Sequence, residues 1–226
     1  MLKVDACPYC NYKEYSTFTE DGIIFHECLT CGLVYMYLRP FDHDVWDFYH
    51  SDKYYKQRLE AIAEHGRNAS HEPRAARVAA WITQGKNHLD VGCAEGYLLR
   101  MTRAKGFDVL GVEPYPGYTF TDIPTVRKIS QVQADFGWDN ITCIHVLEHV
   151  ADFKHLVGRM SRLLAPKGQL IIEVPGKKGG KVVSAEHLYY YPPTVIKELF
   201  ISRGLKLVKE FEAPHQVFFF RKVNNA

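Results

Sequence analysis

The sequence has 226 residues, of which 46% are hydrophobic and 24% charged, and its formal net charge is +2 at pH 7. A chain of this length and composition can bury one sizeable core and carry a small appendage. The near-neutral charge gives no general attraction to nucleic acid or to anionic membranes. We find neither an apolar run of transmembrane length nor a signal-peptide pattern. We therefore expect a cytoplasmic protein that is not inserted in a membrane, and the sequence does not predict its oligomeric state.

Two matched cysteine pairs stand near the N-terminus, in "CPYC" and "CLTC", with seventeen residues between them. This spacing is typical of a four-thiolate zinc site, and four sulfur ligands make such a site closed and structural. A redox dithiol, or two unrelated pairs, is the alternative. The other two cysteines, Cys93 and Cys143, are interpreted as small buried residues. The predicted zinc ligands are Cys7, Cys10, Cys28 and Cys31.

The chain changes character after the cysteine pairs. Residues 41–67 are rich in aromatic and charged side chains and predict one or two helices, and a further helix is expected from about Glu72 to Ile82, with Pro73 in its first turn. We predict three parts from these changes of composition. They are a zinc ribbon at 1–40, a helical linker or lid at 41–85, and a core at 86–226.

From Asn87 onward, apolar strand-like segments alternate with amphipathic helical segments. The strands are "NHLDVG", "FDVLGVEP", a weaker "TVRKI", "NITCIHVL" and "GQLIIEVP". This alternation predicts an α/β fold with a mostly parallel sheet covered by helices on both faces. The last two strands, "LKLVKEFE" and "QVFFFRKV", are joined by a short connection through Pro214, and we expect an antiparallel hairpin.

The turn after the first of these strands, in "HLDVGCAEGYLL", is the candidate cofactor site, because ligands of open α/β sheets lie at the carboxyl ends of the strands. A dinucleotide does not fit, since Ala94 and Tyr97 stand where its fingerprint needs the second and third glycines. Asp90 and Glu95 would also repel a pyrophosphate. The two acids favour a cationic ligand.

These segments resemble the motifs of the Rossmann-like class I S-adenosylmethionine-dependent methyltransferases. "LDVGCAEGYLL" is similar to their first motif, "VLGVEP" to the second strand, "ITCIHVLEHVADF" to the fourth, and "RLLAPKGQLIIEVP" to the fifth, so that the resemblance covers residues 87–175. It implies a seven-stranded sheet and S-adenosylmethionine as the cofactor, with Glu113 bonded to the ribose hydroxyls. The implied cofactor-binding residues are Asp90, Gly92, Cys93, Ala94, Gly96, Glu113, Pro114 and His145.

The arrangement of the whole chain resembles the zinc-ribbon methyltransferases of sugar and natural-product pathways, through the cysteine pairs, "FYHSDKYY" and "EHLYYY". The resemblance implies a small-molecule substrate, such as a sugar, a nucleotide-sugar or a natural-product intermediate. Two departures leave the substrate open. The chain ends at Ala226, without the large C-terminal domain of those enzymes, and the prolines between Glu113 and Ile141 leave little room for the usual helix.

Methyl transfer to an oxygen, nitrogen or carbon acid needs a general base, and histidine is suited to that role. His187 is our preferred base, because the pair Glu186–His187 resembles the sugar C-methyltransferase segment. His149 is the second candidate, or a turn histidine without a chemical role. His145 is expected at the end of its strand, nearer the cofactor than the substrate, and the three tyrosines at 189–191 are either pocket wall or core.

Lysines at both ends of the loop 177–181, "KKGGK", could contact a phosphate of the substrate, or the loop could be an ordinary solvated one. Two other functional classes stay open. A zinc-ribbon RNA or DNA base methyltransferase is disfavoured by the small net charge and the lack of a long basic stripe. A binding module without activity is disfavoured by the intact Asp90, Gly92, Gly96 and Glu113.

Overall fold

The computed structural model describes residues 2–39, 71–115, 117–118, 121–133, 137–176, 187–212 and 215–223. Its first part, residues 2–39, is called the N-terminal ribbon below. A tight turn at Asp21 and Gly22, both with positive φ, joins the two long strands of the ribbon, as two-residue hairpins require. The strands of the ribbon are β1 (Leu2–Lys3), β2 (Tyr15–Glu20), β3 (Ile23–Cys28), β4 (Val34–Met36) and β5 (Leu38–Arg39).

The remaining elements alternate between strand and helix, as the sequence predicts. The helices are α1 (His71–Trp81), α2 (Tyr97–Ala104), α3 (Phe153–Leu163) and α4 (Pro193–Ile201). The strands are β6 (Asn87–Val91), β7 (Asp108–Val112), β8 (Thr125–Val126), β9 (Trp138–Ile144), β10 (Leu164–Pro175), β11 (Tyr189–Tyr190), β12 (Leu205–Phe211) and β13 (His215–Lys222).

Seven of these strands form one sheet in the order β12-β13-β10-β9-β6-β7-β8. The five strands from β10 to β8 run parallel, and β13 is antiparallel to both β10 and β12. The topology reverses between β6 and β9, which is the position where open α/β sheets bind their ligands. The predicted α/β fold, a mostly parallel seven-stranded sheet with an antiparallel final hairpin, is confirmed.

The sheet is buried on both faces, because its strands are apolar at consecutive positions rather than at every second one. Along β10, Leu170 and Ile172 belong to the core cluster that includes α3, α4 and part of the N-terminal ribbon, whereas Ile171 belongs to the cluster under α1 and α2. Side chains alternate along a strand. The polar residues His88 and Asp90 of β6, which flank Leu89, therefore lie on the α1/α2 face.

The N-terminal ribbon is joined to the sheet-bearing core by backbone pairing. Strand β11, which follows β10 in the chain, pairs antiparallel with β4 and completes a four-stranded sheet in the order β11-β4-β3-β2. On its other side, the N–H of Leu188 donates to the carbonyl of Glu148, in the turn after β9. The segment after His187 is thus held between the ribbon and the end of β9, which the sequence did not predict.

Between Glu113 and the start of β9 at Trp138, the described residues contain only the short β8 and a 3-10 helix at Ile129–Gln131, as the prolines predicted. In the described part of the chain, no helix has the length and apolar character needed to cross a bilayer. The domain boundaries remain a prediction, and most of the proposed linker, residues 41–70, lies outside the described residues.

Candidate cofactor and active site

The two cysteine pairs form two matching backbone turns. The N–H of Asn11 donates to the carbonyl of Cys7, and the N–H of Gly32 donates to the carbonyl of Cys28. Asn11 and Gly32 both have positive φ, 61° and 72°, which asparagine and glycine tolerate best. Each turn therefore presents its two sulfurs on one side, as the spacing of the sequence predicts.

The four sulfur atoms converge on one point. All four lie within 4.8 Å of one another, with Sγ–Sγ distances of 3.5 Å for Cys7–Cys31, 3.5 Å for Cys10–Cys28 and 3.7 Å for Cys10–Cys31. Four sulfurs placed tetrahedrally about 2.3 Å from a zinc ion are about 3.8 Å apart, whereas a disulfide needs about 2.05 Å. The donor set and its spacing fit zinc.

Backbone groups already favour the thiolate form at one ligand. Burial alone would raise the pKa of Cys28, but hydrogen bonds from the N–H groups of Cys31 and Thr30 outweigh it, and the pKa is lowered to about 7. Burial raises the pKa of Cys7 to about 11. Zinc binds thiolates, so a bound zinc ion would favour ionisation of all four thiols, including that of Cys7, whose thiolate is disfavoured by burial.

The glycine turn after β6 bends the backbone around the candidate cofactor site. Gly92, Ala94 and Gly96 have φ values of 79°, 45° and 76°, and the left-handed Ala94 was not anticipated. A Cβ at Gly92 would lie 2.2 Å from a methyl carbon of Val146, so that only glycine fits between this turn and the end of β9. The close approach keeps the turn beside the switch point of the sheet.

Glu113 stands directly after β7, and its carboxylate is held by backbone donors. Its Oε2 accepts from the N–H of Ala94 at 2.9 Å, and its Oε1 accepts from the N–H of Tyr115 at 3.0 Å. The residue is 7% exposed, and burial raises the pKa of its carboxyl. Each carboxylate oxygen keeps a second lone pair, so Glu113 can accept further hydrogen bonds at the edge of the turn. Pro114 separates Glu113 from Tyr115 in this turn.

Asp90 lies on β6, beside the glycine turn. It is 5% exposed, and the hydroxyl of Thr142 donates to its Oδ1 at 2.6 Å. Burial raises the pKa of this carboxyl to about 7, against the Thr142 hydrogen bond, which lowers it. A cationic group placed beside Asp90 would relieve the cost of its ionisation.

His145 follows β9 directly and is clamped between two buried carboxylates. Its Nδ1 lies 3.2 Å from Oε1 of Glu148, and its Nε2 lies 3.2 Å from Oε1 of Glu173. Burial lowers the pKa of His145, but the two carboxylates outweigh it and the pKa is raised. The two carboxylates therefore favour the protonated ring, in which both nitrogens donate, and the residue has a backbone φ of 53°.

Glu173, near the end of β10, is fully buried and carries a second set of partners. One terminal nitrogen of Arg77 donates to both its carboxylate oxygens at 2.8 Å, and Arg74 lies 3.8 Å away. Both arginines belong to α1. Burial would raise the pKa of Glu173, but the hydrogen bonds and charges of His145 and Arg77 outweigh it, and the pKa is lowered. Helix α1 is thereby fixed to the end of β10.

The two candidate bases lie together. The rings of His149 and His187 meet edge to face with 4.9 Å between their centroids, and Nδ1 of His187 lies 2.9 Å from the hydroxyl of Tyr190. Oε1 of Glu148 lies 3.9 Å from Nε2 of His149. Burial lowers the pKa of His187 to about 4, so that its ring is neutral at pH 7 and able to accept a proton.

Glu148 is the acid at the centre of this group. It is fully buried, and its charge acts on all three neighbouring histidines. Among the described residues, its Oε2 has no hydrogen-bond partner. In the described part of the chain, two groups of three side chains could each offer a metal ligand atoms that lie within 4.8 Å of one another: Glu148, His149 and His187, and His145, Glu173 and His215. Arg77 already covers both oxygens of Glu173 in the second group.

The predicted site residues thus fall into three places. The cysteine ligands cluster in the N-terminal ribbon, the cofactor candidates surround the glycine turn, and His149 and His187 lie at the end of β9. Glu186 and the basic loop 177–181 lie outside the described residues. The three tyrosines at 189–191 are at most 3% exposed and belong to the core, and Cys93 and Cys143 are buried and free.

Glu148, Glu173 and Arg77 were missed at the level of sequence. The signal for Glu173 is a lone acid in the apolar strand "LIIEVP", and the signal for Glu148 is an acid directly before a candidate histidine. Buried acids need partners. Nothing local in the sequence indicates that Arg77, ninety-six positions away, is the partner of Glu173.

The comparison with protein families decides the kinship of the chain. A family described as "Methyltransferase domain" matches residues 62–210. The chain belongs to this methyltransferase family.

Its curated relatives include the ubiquinone biosynthesis O-methyltransferase of Escherichia coli O9:H4 (strain HS), 26% identical over 152 residues, which cover 59% of each chain. The enzyme of the same name from Acinetobacter baumannii (strain AYE) is 31% identical over 102 residues, 38% of this chain and 42% of that one. The chain therefore spans about three fifths or less of these relatives.

Solved structures of methyltransferases share the fold. The 1,6-didemethyltoxoflavin-N1-methyltransferase of Burkholderia thailandensis, with bound S-adenosylhomocysteine, superposes with a TM-score of 0.64 at 16% identity and covers 93% of this chain and 100% of that one. An amino pentose methyltransferase of Micromonospora echinaspora, bound to S-adenosylmethionine, gives a TM-score of 0.56 at 18% identity and covers 73% and 97%. Both likenesses show a shared fold, and both of these solved structures hold S-adenosylmethionine or S-adenosylhomocysteine.

Proposed function

We propose that this methyltransferase-family chain transfers a methyl group from S-adenosylmethionine to a small molecule, with a histidine general base and a structural zinc ion in the N-terminal ribbon. The observation that carries the proposal is the pairing of the left-handed glycine turn with the carboxylate of Glu113. The N–H of Ala94 ties the two together at 2.9 Å, at the switch point of the sheet. The substrate is a sugar, a nucleotide-sugar or a natural-product intermediate.

The acids of the site suit a cofactor that carries two cationic groups. Glu113 would accept from the ribose hydroxyls, and its orientation is preset by the N–H groups of Ala94 and Tyr115. Asp90 would lie near the methionine half, where the ammonium is. When bound, S-adenosylmethionine supplies a methyl group on a sulfonium, which is open to in-line attack by a nucleophile.

The proton chemistry is assigned to the histidine pair. We propose that His187 accepts the proton of the substrate nucleophile, since its ring is neutral at physiological pH. The hydroxyl of Tyr190 fixes the ring through Nδ1, which leaves Nε2 for the substrate. The buried charge of Glu148 then stabilises the imidazolium that forms. His149, in ring contact with His187, is the second candidate for the base.

The N-terminal ribbon contributes one wall of the cleft in this proposal. The contacts that tie it to the core include the β4–β11 pairing, the hydrogen bond from Arg39 to the Tyr189 hydroxyl at 2.7 Å, and the one from the Tyr9 hydroxyl to Glu198 at 2.6 Å. The relatives include O-methyltransferases of small molecules. That kinship supports a small-molecule substrate here, whereas the sugar class rests on the resemblance of the sequence.

A binding and transfer experiment tests the function. Thermal-shift measurements should give a higher Tm with S-adenosylmethionine or S-adenosylhomocysteine and no change with NAD⁺. Methyl-labelled S-adenosylmethionine should then transfer label to a member of a panel of nucleotide-linked ketosugars and phenolic acceptors. A Tm increase with NAD⁺ alone would contradict the cofactor assignment. Salt-dependent binding of RNA, with label incorporated into it, would assign the chain to the nucleic-acid class instead.

A further inference from the structure

Four buried polar side chains form one hydrogen-bonded chain beneath the glycine turn. Nδ1 of His88 lies 2.9 Å from Oγ1 of Thr102, Nε2 of His88 lies 2.8 Å from Oγ1 of Thr142, and Thr142 donates to Asp90 at 2.6 Å. His88, Thr102 and Thr142 are 0% exposed, and Asp90 is 5% exposed. The chain runs from α2 through β6 and β9 to the candidate cofactor site.

The register of the sheet explains why these side chains meet. Asp90 of β6 is paired directly with Thr142 of β9, and His88 lies two residues before Asp90 on the same face. Thr102 reaches this face from α2, which packs on β6. The sequence therefore places a histidine and two threonines where the surrounding core positions are apolar, and burying an imidazole is costly unless both nitrogens are bonded.

Only one direction of the hydrogen bonds fits an ionised Asp90. The single hydroxyl proton of Thr142 is donated to the carboxylate, so Nε2 of His88 must carry a proton and donate to Thr142. Burial lowers the pKa of His88 to about 3, so the ring is neutral and its Nδ1 is an acceptor. The Thr102 hydroxyl, which also lies 3.2 Å from the carbonyls of Leu98 and Leu99, is the nearest donor for Nδ1 at 2.9 Å. With its proton directed at Nδ1, every donor in the chain points toward Asp90.

We propose that His88 and Thr142 are positioning residues for cofactor binding, which hold the Asp90 carboxylate ionised and oriented toward the ammonium of S-adenosylmethionine. The inference rests on the proposed function, since it assigns a partner to Asp90. It extends that function to residues that no motif singled out. Asp90 is the group that would touch the cofactor, and Thr142 and His88 act through it.

The surroundings of Asp90 make this support necessary. The ionisable groups that face Asp90 are the carboxyl of Glu113 after β7, the thiol of Cys93 in the glycine turn and the thiol of Cys143 on β9. None of these three supplies a positive charge. The Thr142 hydroxyl is therefore the described donor that favours the charged carboxylate before a cation arrives, and His88 fixes that hydroxyl.

Calorimetric titration of the Thr142→Val variant tests the proposal with two ligands. Valine keeps the shape of threonine but has no hydroxyl to donate. Affinity for S-adenosylhomocysteine should fall by roughly 10-fold or more, the effect of losing one hydrogen bond to a charged group. Affinity for methylthioadenosine, which lacks the amino-acid half, should change by less than about 2-fold, because the adenosine contacts do not involve Asp90. The Thr142→Ser variant should restore binding.

Ser161→Ala is the matched control, because Ser161 is also buried and its hydroxyl donates to a backbone carbonyl, that of Val157 at 2.8 Å. It should bind both ligands as the unmodified protein does. Equal losses for both ligands in Thr142→Val would mean a merely structural role and would overturn the proposal, as would unchanged binding of S-adenosylhomocysteine. Failure of the unmodified protein to bind S-adenosylhomocysteine would instead reject the proposed function.

A second measurement needs no variant. The ¹⁵N shifts of the His88 ring in the unmodified protein saturated with S-adenosylhomocysteine should identify the tautomer protonated at Nε2. A ring protonated at Nδ1 in that complex would reverse the direction of the hydrogen bonds and contradict the proposal.

Discussion

Asp90 is a residue whose ionisation costs stability in the free protein. Its pKa rises from 3.8 to about 7 on folding because the carboxyl is buried. A raised pKa means that the folded state binds the proton more tightly than the unfolded state. The cost is absent below about pH 4, grows as pH rises, and is complete above pH 7. Residues at functional sites often lower the stability of the free protein in this way, because their charges are suited to a ligand.

The Asp90→Asn variant should therefore be more stable than the unmodified protein at pH 8, by up to about 4 kcal/mol for a shift of about three pKa units. The amide oxygen of asparagine can still accept from Thr142, so the hydrogen bond is kept. The gain in Tm should shrink toward zero as the pH is lowered to about 4. Thermal unfolding followed by circular dichroism over this pH range measures it. A variant less stable than the unmodified protein at pH 8 would contradict the account.

His187 and His149 are adjacent in space, and kinetics can separate their roles. If His187 is the base, His187→Ala should keep its affinity for S-adenosylhomocysteine while turnover falls by roughly 10²–10⁴. The loss should become smaller as pH rises, because hydroxide or a neighbouring group can replace the base. In the unmodified protein, turnover at saturating ligands should fall as pH drops through about 4, where His187 becomes protonated.

His149→Ala serves as the control for this prediction. If His149 has only a structural role, His149→Ala should lower Tm while turnover falls little. The reverse pattern, in which turnover depends on His149 and is indifferent to His187, would transfer the role of base to His149.

Much of this residue-scale picture could be predicted from the sequence, because motifs report local chemistry. The cysteine ligands, the glycine turn and Glu113 stand in short patterns of fixed spacing. Glu173 and His88 could not be assigned partners in this way, since the groups they contact lie on other strands or on helices. Glu148 contacts histidines close to it in the chain, but the sequence does not show that these side chains face it. A buried charge or imidazole signals that a partner exists, but only the fold says which one it is.

At the scale of elements, β11 links the N-terminal ribbon to the candidate active site. Its two residues pair with β4, and Leu188 alone separates them from His187. The sequence predicted the ribbon and the core as separate parts, because a two-residue strand has no periodicity to detect. Because of this pairing, we expect that loss of order in the ribbon would also disorder the segment that holds His187.

The Cys31→Ser variant tests this connection. We expect the unmodified protein to hold about one equivalent of zinc and the variant to lose it, since a structural site needs all four sulfurs. The backbone N–H groups of Tyr189 and Tyr190 should then exchange faster with deuterium, because β4 no longer holds β11. Cys143→Ala is the control, which should lower Tm through a cavity but keep its zinc.

Metal analysis and hydrogen exchange measure the two effects. Thiols that titrate as free in the unmodified protein, with a folded ribbon and no zinc, would remove the metal assignment. Unchanged exchange at β11 in a zinc-free Cys31→Ser protein would leave the metal assignment intact but reject the connection to His187.

At the scale of the whole molecule, the seven-stranded sheet brings three remote segments to one edge. The glycine turn follows β6, Glu113 follows β7, and His145 and His149 follow β9, all at carboxyl ends of parallel strands. Alternation of strands and helices was sufficient to predict this arrangement. The sequence could not predict that α1 is tied to β10 through Arg77 and Glu173, because the two are far apart in the chain.

Binding of S-adenosylhomocysteine to the Glu113→Ala variant tests the central claim, that the cofactor lies against the glycine turn and Glu113. The unmodified protein should bind the ligand in a calorimetric titration, and Glu113→Ala should lose roughly 1.5–3 kcal/mol of binding free energy, the range for hydrogen bonds to a charged group. Glu198→Ala, an acid far from the turn that bonds Tyr9, should bind as the unmodified protein does. Equal affinity of Glu113→Ala and the unmodified protein for S-adenosylhomocysteine would contradict the placement of the cofactor.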